Sequence, residues 1–208
     1  MIELHNMDCM EAMKNMPDNA YDLAIVDPPY GINRGGQSET FTKNPKHKRK
    51  EHKQKEWDKN RPDVDYWQEL FRVSKNQIVW GANYFTGYLP PSMGWVFWDK
   101  GQDLSMSDGE LAYTSFEKAL RRVIINRVEI MKDGAIHPTQ KPVKLYEWLL
   151  TNYAKEGDKI LDTHLGSGSI AIACHNLKFD LTGYELDTEY YEAATKRLKQ
   201  HQAQQRLF

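Results

Sequence analysis

The sequence predicts an α/β protein: an open, Rossmann-like, mostly parallel sheet with helices on both faces. Three observations carry that expectation. The last fifty residues alternate between strand-like and helix-like segments, the pattern of β-α-β units. Residues Tyr21 to Val26 form an apolar run broken only by Asp22, as suits a strand buried on both faces. Between a strand and a helix stands Leu165-Gly166-Ser167-Gly168-Ser169, a glycine turn of the kind that lets backbone approach a ligand.

The elements follow in order. Residues 2–4 read as a short strand, and Asp8 as the cap of a helix carrying Met10, Met13 and Met16 on one face. The strand 21–26 ends at Asp27-Pro28-Pro29-Tyr30-Gly31. Residues 31–62 lack apolar periodicity and read as a long surface loop, a length usually reserved for function or disorder. Val64, Trp67, Leu70 and Phe71 mark an amphipathic helix. Strand-like runs occupy 77–80, 95–98 and 123–125, and helical spacing returns over Val143, Tyr146, Leu149, Leu150 and Tyr153. Then come a strand at 159–162, a helix at 169–177, a strand at 181–184 and a helix at 188–200.

The chain of 208 residues has the size of a single domain spanning 1–208. Two cysteines, Cys9 and Cys174, are too few for a disulfide framework and lack metal-ligand spacing, so no metal is expected. Neither a signal-peptide pattern nor an apolar run of membrane-spanning length is present, and a cytoplasmic protein with no membrane partner is the expectation.

With Ala171, the glycine turn fits G-x-G-x-x-A, and Glu185 ends the next strand nineteen residues after Gly166, where a carboxylate could hold ribose hydroxyls. A nicotinamide-dinucleotide enzyme therefore has to be weighed. Asp162 argues against it. At the end of the strand before the glycines, a carboxylate opposes a pyrophosphate but suits a ligand carrying an ammonium and a sulfonium. At ~4 Å and an effective dielectric of ~20, one such pair amounts to about 4 kcal/mol in either direction before desolvation.

Asp27-Pro28-Pro29-Tyr30 lies at the carboxyl end of a predicted parallel strand, where open α/β sheets place their ligands. Two prolines stiffen the segment and remove two donors, leaving the Asp27 carboxylate and the Pro28 carbonyl as acceptors. A planar amino group has two N–H donors to give them. Accepting both exposes the nitrogen lone pair, and Tyr30 offers an aromatic face for a base taken out of its stack.

These motifs, with His137-Pro138-Thr139-Gln140-Lys141-Pro142, resemble the beta-class amino-group DNA methyltransferases, in which the Asp-Pro-Pro-Tyr motif precedes the glycine motif. The likeness runs from Asp8-Cys9 to the last helix and includes Ser107-Asp108-Gly109-Glu110-Leu111-Ala112-Tyr113. It implies S-adenosylmethionine as cofactor and double-stranded DNA as partner, in a restriction–modification setting. It implies transfer of a methyl group to N6 of adenine, with N4 of cytosine as the alternative and Asp at position 27 favouring adenine. Methylation of a glutamine side chain or RNA, and a non-catalytic binding subunit, are further alternatives. The family often dimerises, so a homodimer is a weak expectation.

Position by position, the resemblance places Asp27, Pro28, Pro29 and Tyr30 on the target base. It places Asp8, Cys9, Asp27, Asp162, His164, Leu165, Gly166, Ser167, Gly168, Ser169 and Glu185 around the cofactor, with Thr139, Gln140 and Lys141 closing over its methionine end. Two departures stand out. Asp162-Thr163-His164 replaces the usual Asp-Pro-Phe, so His164 is read as filling an aromatic packing site rather than as a base. The interval after Trp98 is also too short for a large target-recognition region. Recognition of DNA then falls to the 31–62 loop, to Arg121, Arg122 and Arg127, or to a partner subunit. Between Lys43 and Arg61, nine Lys or Arg face three acids, a local +6 in a chain of net charge −1. Lys46, Lys48, Arg49, Lys50 and Lys53 are the candidate phosphate contacts, with Trp57 assisting.

Overall fold

The computed structural model describes residues 1–36, 55–101, 107–126, 129 and 135–205. Its eight strands are β1 (Ile2–His5), β2 (Tyr21–Val26), β3 (Ser74–Trp80), β4 (Trp95–Asp99), β5 (Gly109–Thr114), β6 (Arg121–Ile124), β7 (Lys159–Asp162) and β8 (Asp180–Tyr184). They form one sheet in the order β1-β8-β7-β2-β3-β5-β4-β6. Every neighbouring pair is parallel except those made by β5, which runs antiparallel to both β3 and β4. The α-helices include α1 (Cys9–Met13), α2 (Val64–Val73), α3 (Val143–Tyr153), α4 (Ser169–Leu177) and α5 (Thr188–Gln205), and a 3-10 turn spans Ala82–Tyr84.

The period-2 alternation of the strands divides the core into two. Leu23 and Ile25 of β2, Ile78 and Trp80 of β3 and Ile160 of β7 pack with α3, α4 and α5. Ala24, Val26, Val79 and Leu161 point the other way, onto α1 and α2. This is why the inner parts of the central strands, Leu23–Val26 and Ile78–Trp80, read as unbroken apolar runs: both faces are covered there. On α2 the buried positions Tyr66, Trp67, Leu70 and Val73 fall on one helical face, and Asp63 caps its start by accepting from Tyr66 N at 3.3 Å. Arg72, in its last turn, donates to the Met13 and Met16 carbonyls at 2.7 Å each, tying α2 to the end of α1.

Several elements differ from the sequence expectation: the strand expected at 77–80 begins at Ser74, the one at 123–125 is Arg121–Ile124, and the last helix runs on from 200 to Gln205. The Met-bearing helix stops at Met13, so Met16 lies beyond it, half-buried against the core. The segment 109–114, given no element from sequence, is a strand. It is antiparallel, and reversal leaves no mark on the hydrophobic pattern of a short buried strand.

Adjacent β2 and β7 lead their chains to opposite sides of the sheet, to β3 and to β8. The crevice beyond their carboxyl ends is the topological switch point of the fold, where open α/β sheets bind ligands.

Candidate active site

A cavity of about 380 Å³ opens at that switch point. Its walls come from the carboxyl ends of four parallel strands, from two loops, and from Tyr146 of α3 and Tyr190 of α5. Met7, Asp8 and Cys9 follow β1, and Asp27 and Pro29 follow β2. Thr163 through Ser167 follow β7, and Glu185 through Asp187 follow β8. His137, Thr139, Gln140 and Lys141 precede α3, and Trp57 returns from the long loop.

The β7 turn is shaped by two glycines with positive φ, Gly166 at 51° and Gly168 at 68°. A Cβ on Gly168 would meet the Ala194 Cβ at 3.0 Å, so glycine lets α5 close on the turn. Glu185 braces the turn from below: Oε2 accepts Gly166 N at 2.8 Å and Oε1 accepts Asp187 N at 2.9 Å. Each carboxylate oxygen keeps a second lone pair free for a ligand hydroxyl.

Asp162 is 2% exposed and sits behind the wall, where its Oδ1 accepts His164 N at 3.0 Å. Burial pushes its carboxyl up to about 8, with Asp27 and Glu185 adding to the rise. The cavity is lined by the carboxylates of Asp8, Asp27, Glu185 and Asp187, of which Asp27 is paired with Lys141 and Asp187 with Lys55, and Asp162 lies beneath it.

Asp27 is fixed on both oxygens. The Tyr30 hydroxyl donates to Oδ1 at 2.5 Å, and the Lys141 ammonium pairs with Oδ2. Lys141, 3% exposed, also lies 3.2 Å from Glu110 Oε2, and Lys100 pairs with Glu110 Oε1 at 2.9 Å. Burial works against the Lys141 charge, but the two carboxylates outweigh it and hold the ammonium above the usual lysine value. Burial likewise pushes Glu110 up, yet Lys141 and Lys100 hold it below the usual glutamate value. Burial raises Asp27, making it the better proton acceptor of the two acids.

Asp58, 2% exposed, clamps the loop after Asp27. Its Oδ1 accepts Tyr30 N at 2.6 Å and Gly31 N at 3.0 Å, and its Oδ2 accepts Arg34 N at 2.6 Å.

The model of the DNA methylase family (N6_N4_Mtase) matches residues 79–196, more than half of the chain. The chain belongs to the DNA methylase family. A curated relative, the type II methyltransferase M.HpaI of Haemophilus parainfluenzae, is 26% identical over 239 residues, covering 92% of this chain and 72% of its own. Among solved structures, the M1.HpyAVI–SAM complex superposes with a TM-score of 0.62 at 20% identity, covering 95% of this chain and 100% of that one. PvuII DNA methyltransferase, named as cytosine-N4-specific, superposes at 0.63 and 12% identity, covering 97% of this chain and 90% of the other.

The methylase uses S-adenosylmethionine. The acid-rich cavity fits that molecule, which brings two positive groups, a ribose and an adenine. Of the residues assigned to it from sequence, Asp8, Cys9, Asp27, Thr139, Gln140, Lys141, His164, Leu165, Gly166, Ser167 and Glu185 line the cavity. Gly168 and Ser169 do not: they lie behind the turn, where Arg197 donates to Ser167 O at 2.9 Å and to Ser169 Oγ at 3.0 Å. Cys9 is a thiol, pushed up to about 12 by burial and then by Asp8. His164 packs edge-on against Tyr66 at 5.4 Å, and burial takes it down to about 4, so it is neutral there.

Pro29 lines the cavity; Pro28 and Tyr30 do not. The Tyr30 ring stacks on Tyr84 at 5.0 Å and meets Phe85 edge-on at 6.0 Å, so protein contacts take up the ring expected to carry a base. Arg121 and Arg122 lie on β6, the edge strand, four strand spacings or about 19 Å from β2. Arg122 is paired with Asp99 at 2.6 Å. Lys46, Lys48, Arg49, Lys50, Lys53 and Arg127 lie outside the described residues, as does most of the 31–62 loop. Its far end is anchored: Lys55 pairs with Asp187 and Glu189 at 2.7 Å each, and Arg61 donates to Tyr84 O at 2.9 Å.

Sequence reasoning did not find the wall made by Trp57, His137 and Tyr190. Trp57 lies 5.1 Å from the His137 ring, which meets Tyr190 at 4.3 Å. Trp57, expected to assist the phosphate contacts of the basic loop, is part of the cavity wall. Asp58 and Glu110 were also given no role, one being counted only as an acid in a basic run.

Proposed function

We propose that this methylase transfers the methyl group of S-adenosylmethionine to N6 of adenine in duplex DNA, at a base swung out of the helix into the cavity. The observation that carries the reading is the Asp27 carboxylate: it stands on the cavity wall at the end of β2, next to the turn assigned to the cofactor, and is held there from both sides.

S-adenosylmethionine, when bound, supplies a methyl group on a positively charged sulfur. Glu185 is suited to its ribose hydroxyls, and Asp8 and the Gly166–Ser167 backbone to its charged end, with the buried Asp162 acting on that charge from behind the wall. Asp27 accepts a hydrogen bond from the target amino group and draws density toward its nitrogen. When the N–C bond forms, the nitrogen carries a surplus proton, and Asp27 takes it. Positioning and fixed charges supply most of such catalysis. Extruding the base costs a few kcal/mol, which phosphate contacts by the basic 31–62 loop can offset. The chain acts as one domain in this reading, with the loop as its DNA-facing part.

N4 of cytosine needs the same acceptor, and the fold is shared with a structure named as cytosine-N4-specific. The larger purine and the aspartate at position 27 favour adenine. The test is mass spectrometry of nucleosides from unmethylated genomic DNA incubated with protein and methyl donor. N6-methyladenine is expected; N4-methylcytosine as the main product would overturn the choice of base. Asp27→Ala should abolish transfer while keeping cofactor affinity within about tenfold, or 1.4 kcal/mol.

A further inference from the structure

Strand β5 runs against its neighbours, so its first residues reach the sheet edge at which β2, β3 and β4 end. This brings Glu110 behind Asp27, with the Lys141 ammonium between them, 3.2 Å from Glu110 Oε2 and in contact with Asp27 Oδ2. The Trp80 ring centre is 5.3 Å from the same ammonium, and the Lys141 side chain is only 2% exposed. Water therefore cannot replace a lost partner there, and a buried ammonium without a counter-charge is strongly disfavoured.

Methyl transfer takes such a partner away. The target amino group competes with Lys141 for Asp27 as it binds. As the N–C bond forms and the methyl–sulfur bond breaks, the surplus proton moves from nitrogen to Asp27, and the carboxylate becomes a neutral acid. Lys141 then has one anion left in contact. We propose that Glu110 is a positioning residue of the methyl transfer, holding the Lys141 ammonium while Asp27 is engaged with the target amino group. Lys100, at 2.9 Å from Glu110 Oε1, keeps Glu110 ionised and aimed at Lys141. The inference rests on the amino-methyl-transfer reading above.

Glu110→Gln, Lys141→Met and the double variant test it, with labelled S-adenosylmethionine and unmethylated genomic DNA across a range of pH. Glu110→Gln should lower kcat at least tenfold with cofactor affinity unchanged by calorimetry. The acid limb of kcat/KM should move to lower pH, because Glu110 raises Asp27, which otherwise faces Lys141, Tyr30, Tyr66, Tyr146 and Asp162. In the Lys141→Met background, adding Glu110→Gln should cost no further rate, since Glu110 acts through Lys141. Full turnover by Glu110→Gln, an unmoved acid limb, or losses that multiply in the double variant would each overturn the proposal. Should Glu110→Gln not fold, Glu110→Asp decides alone: reduced kcat at unchanged cofactor affinity supports the role, and full kcat overturns it. A wild-type protein that methylates no DNA would instead remove the underlying reading.

Discussion

The Tyr30 ring rests directly on the Cα of Gly81: a Cβ built at position 81 would come within 2.1 Å of Tyr30 Cε1. Gly81 holds φ at +64°, a conformation side chains rarely adopt, so residue 81 is fixed both by its backbone and by the ring above it. The ring in turn sets where the Tyr30 hydroxyl meets Asp27. Gly81→Ala should therefore displace Tyr30 and cut methyl transfer at least tenfold, with stability lowered by about 1–3 kcal/mol. Thermal melting and labelled methyl transfer would check it; normal turnover would show that the ring's position is dispensable.

Tyr30→Phe separates ring from hydroxyl. The stack on Tyr84 stays, but Asp27 Oδ1 loses its 2.5 Å donor. Hydrogen bonds to charged groups contribute about 1.5–3 kcal/mol, so kcat should fall by roughly 10- to 100-fold with cofactor affinity unchanged. A fully active Phe variant would mean that Lys141 alone orients Asp27.

Asp162 sets a pH dependence whose sign can be worked out. Its folded value of about 8 lies above that of an unfolded chain, so its stabilising effect is fully present below about pH 4. The effect is lost as pH rises toward 8, when the buried carboxyl must give up its proton. Asp162→Asn keeps an acceptor for His164 N and carries no charge. It should be more stable than wild type at pH 8 by at least about 1 kcal/mol, some 2–4 °C in Tm, and flatten the decline. The same change should weaken S-adenosylmethionine binding, because a cation nearby favours the ionised form. Melting curves from pH 5 to 9 and a calorimetric titration check the two halves separately.

Neutralising Lys46, Lys48, Arg49 and Lys50 together should weaken DNA binding without changing which base is modified. Each lost phosphate contact should lower the log–log salt slope by about 0.9 on duplex DNA. An unchanged slope would place the phosphate contacts on another surface. Lys55 is the internal control: its ammonium is already paired with Asp187 and Glu189, so neutralising it should change the salt slope least.

By itself the sequence determined the alternation of strands and helices, the strand ends carrying Asp27, Asp162 and Glu185, and the turn at Gly166. These are local properties: apolar period, glycine spacing and chain order are written in consecutive residues, and parallel strands place their carboxyl ends on one edge. Even Asp8 was legible as a cap, accepting Met10 N at 2.8 Å. Tertiary structure alone decided how those parts are held. Asp58 clamps a loop 28 residues before it, Lys141 reaches Asp27 from 114 residues away, and Tyr30 spends its ring on Tyr84. Glu110 joins them only because β5 runs backwards, and strand direction follows from which partners bury its faces. A short apolar strand reads the same in both directions, so its charge reaches the site through packing that no local pattern encodes.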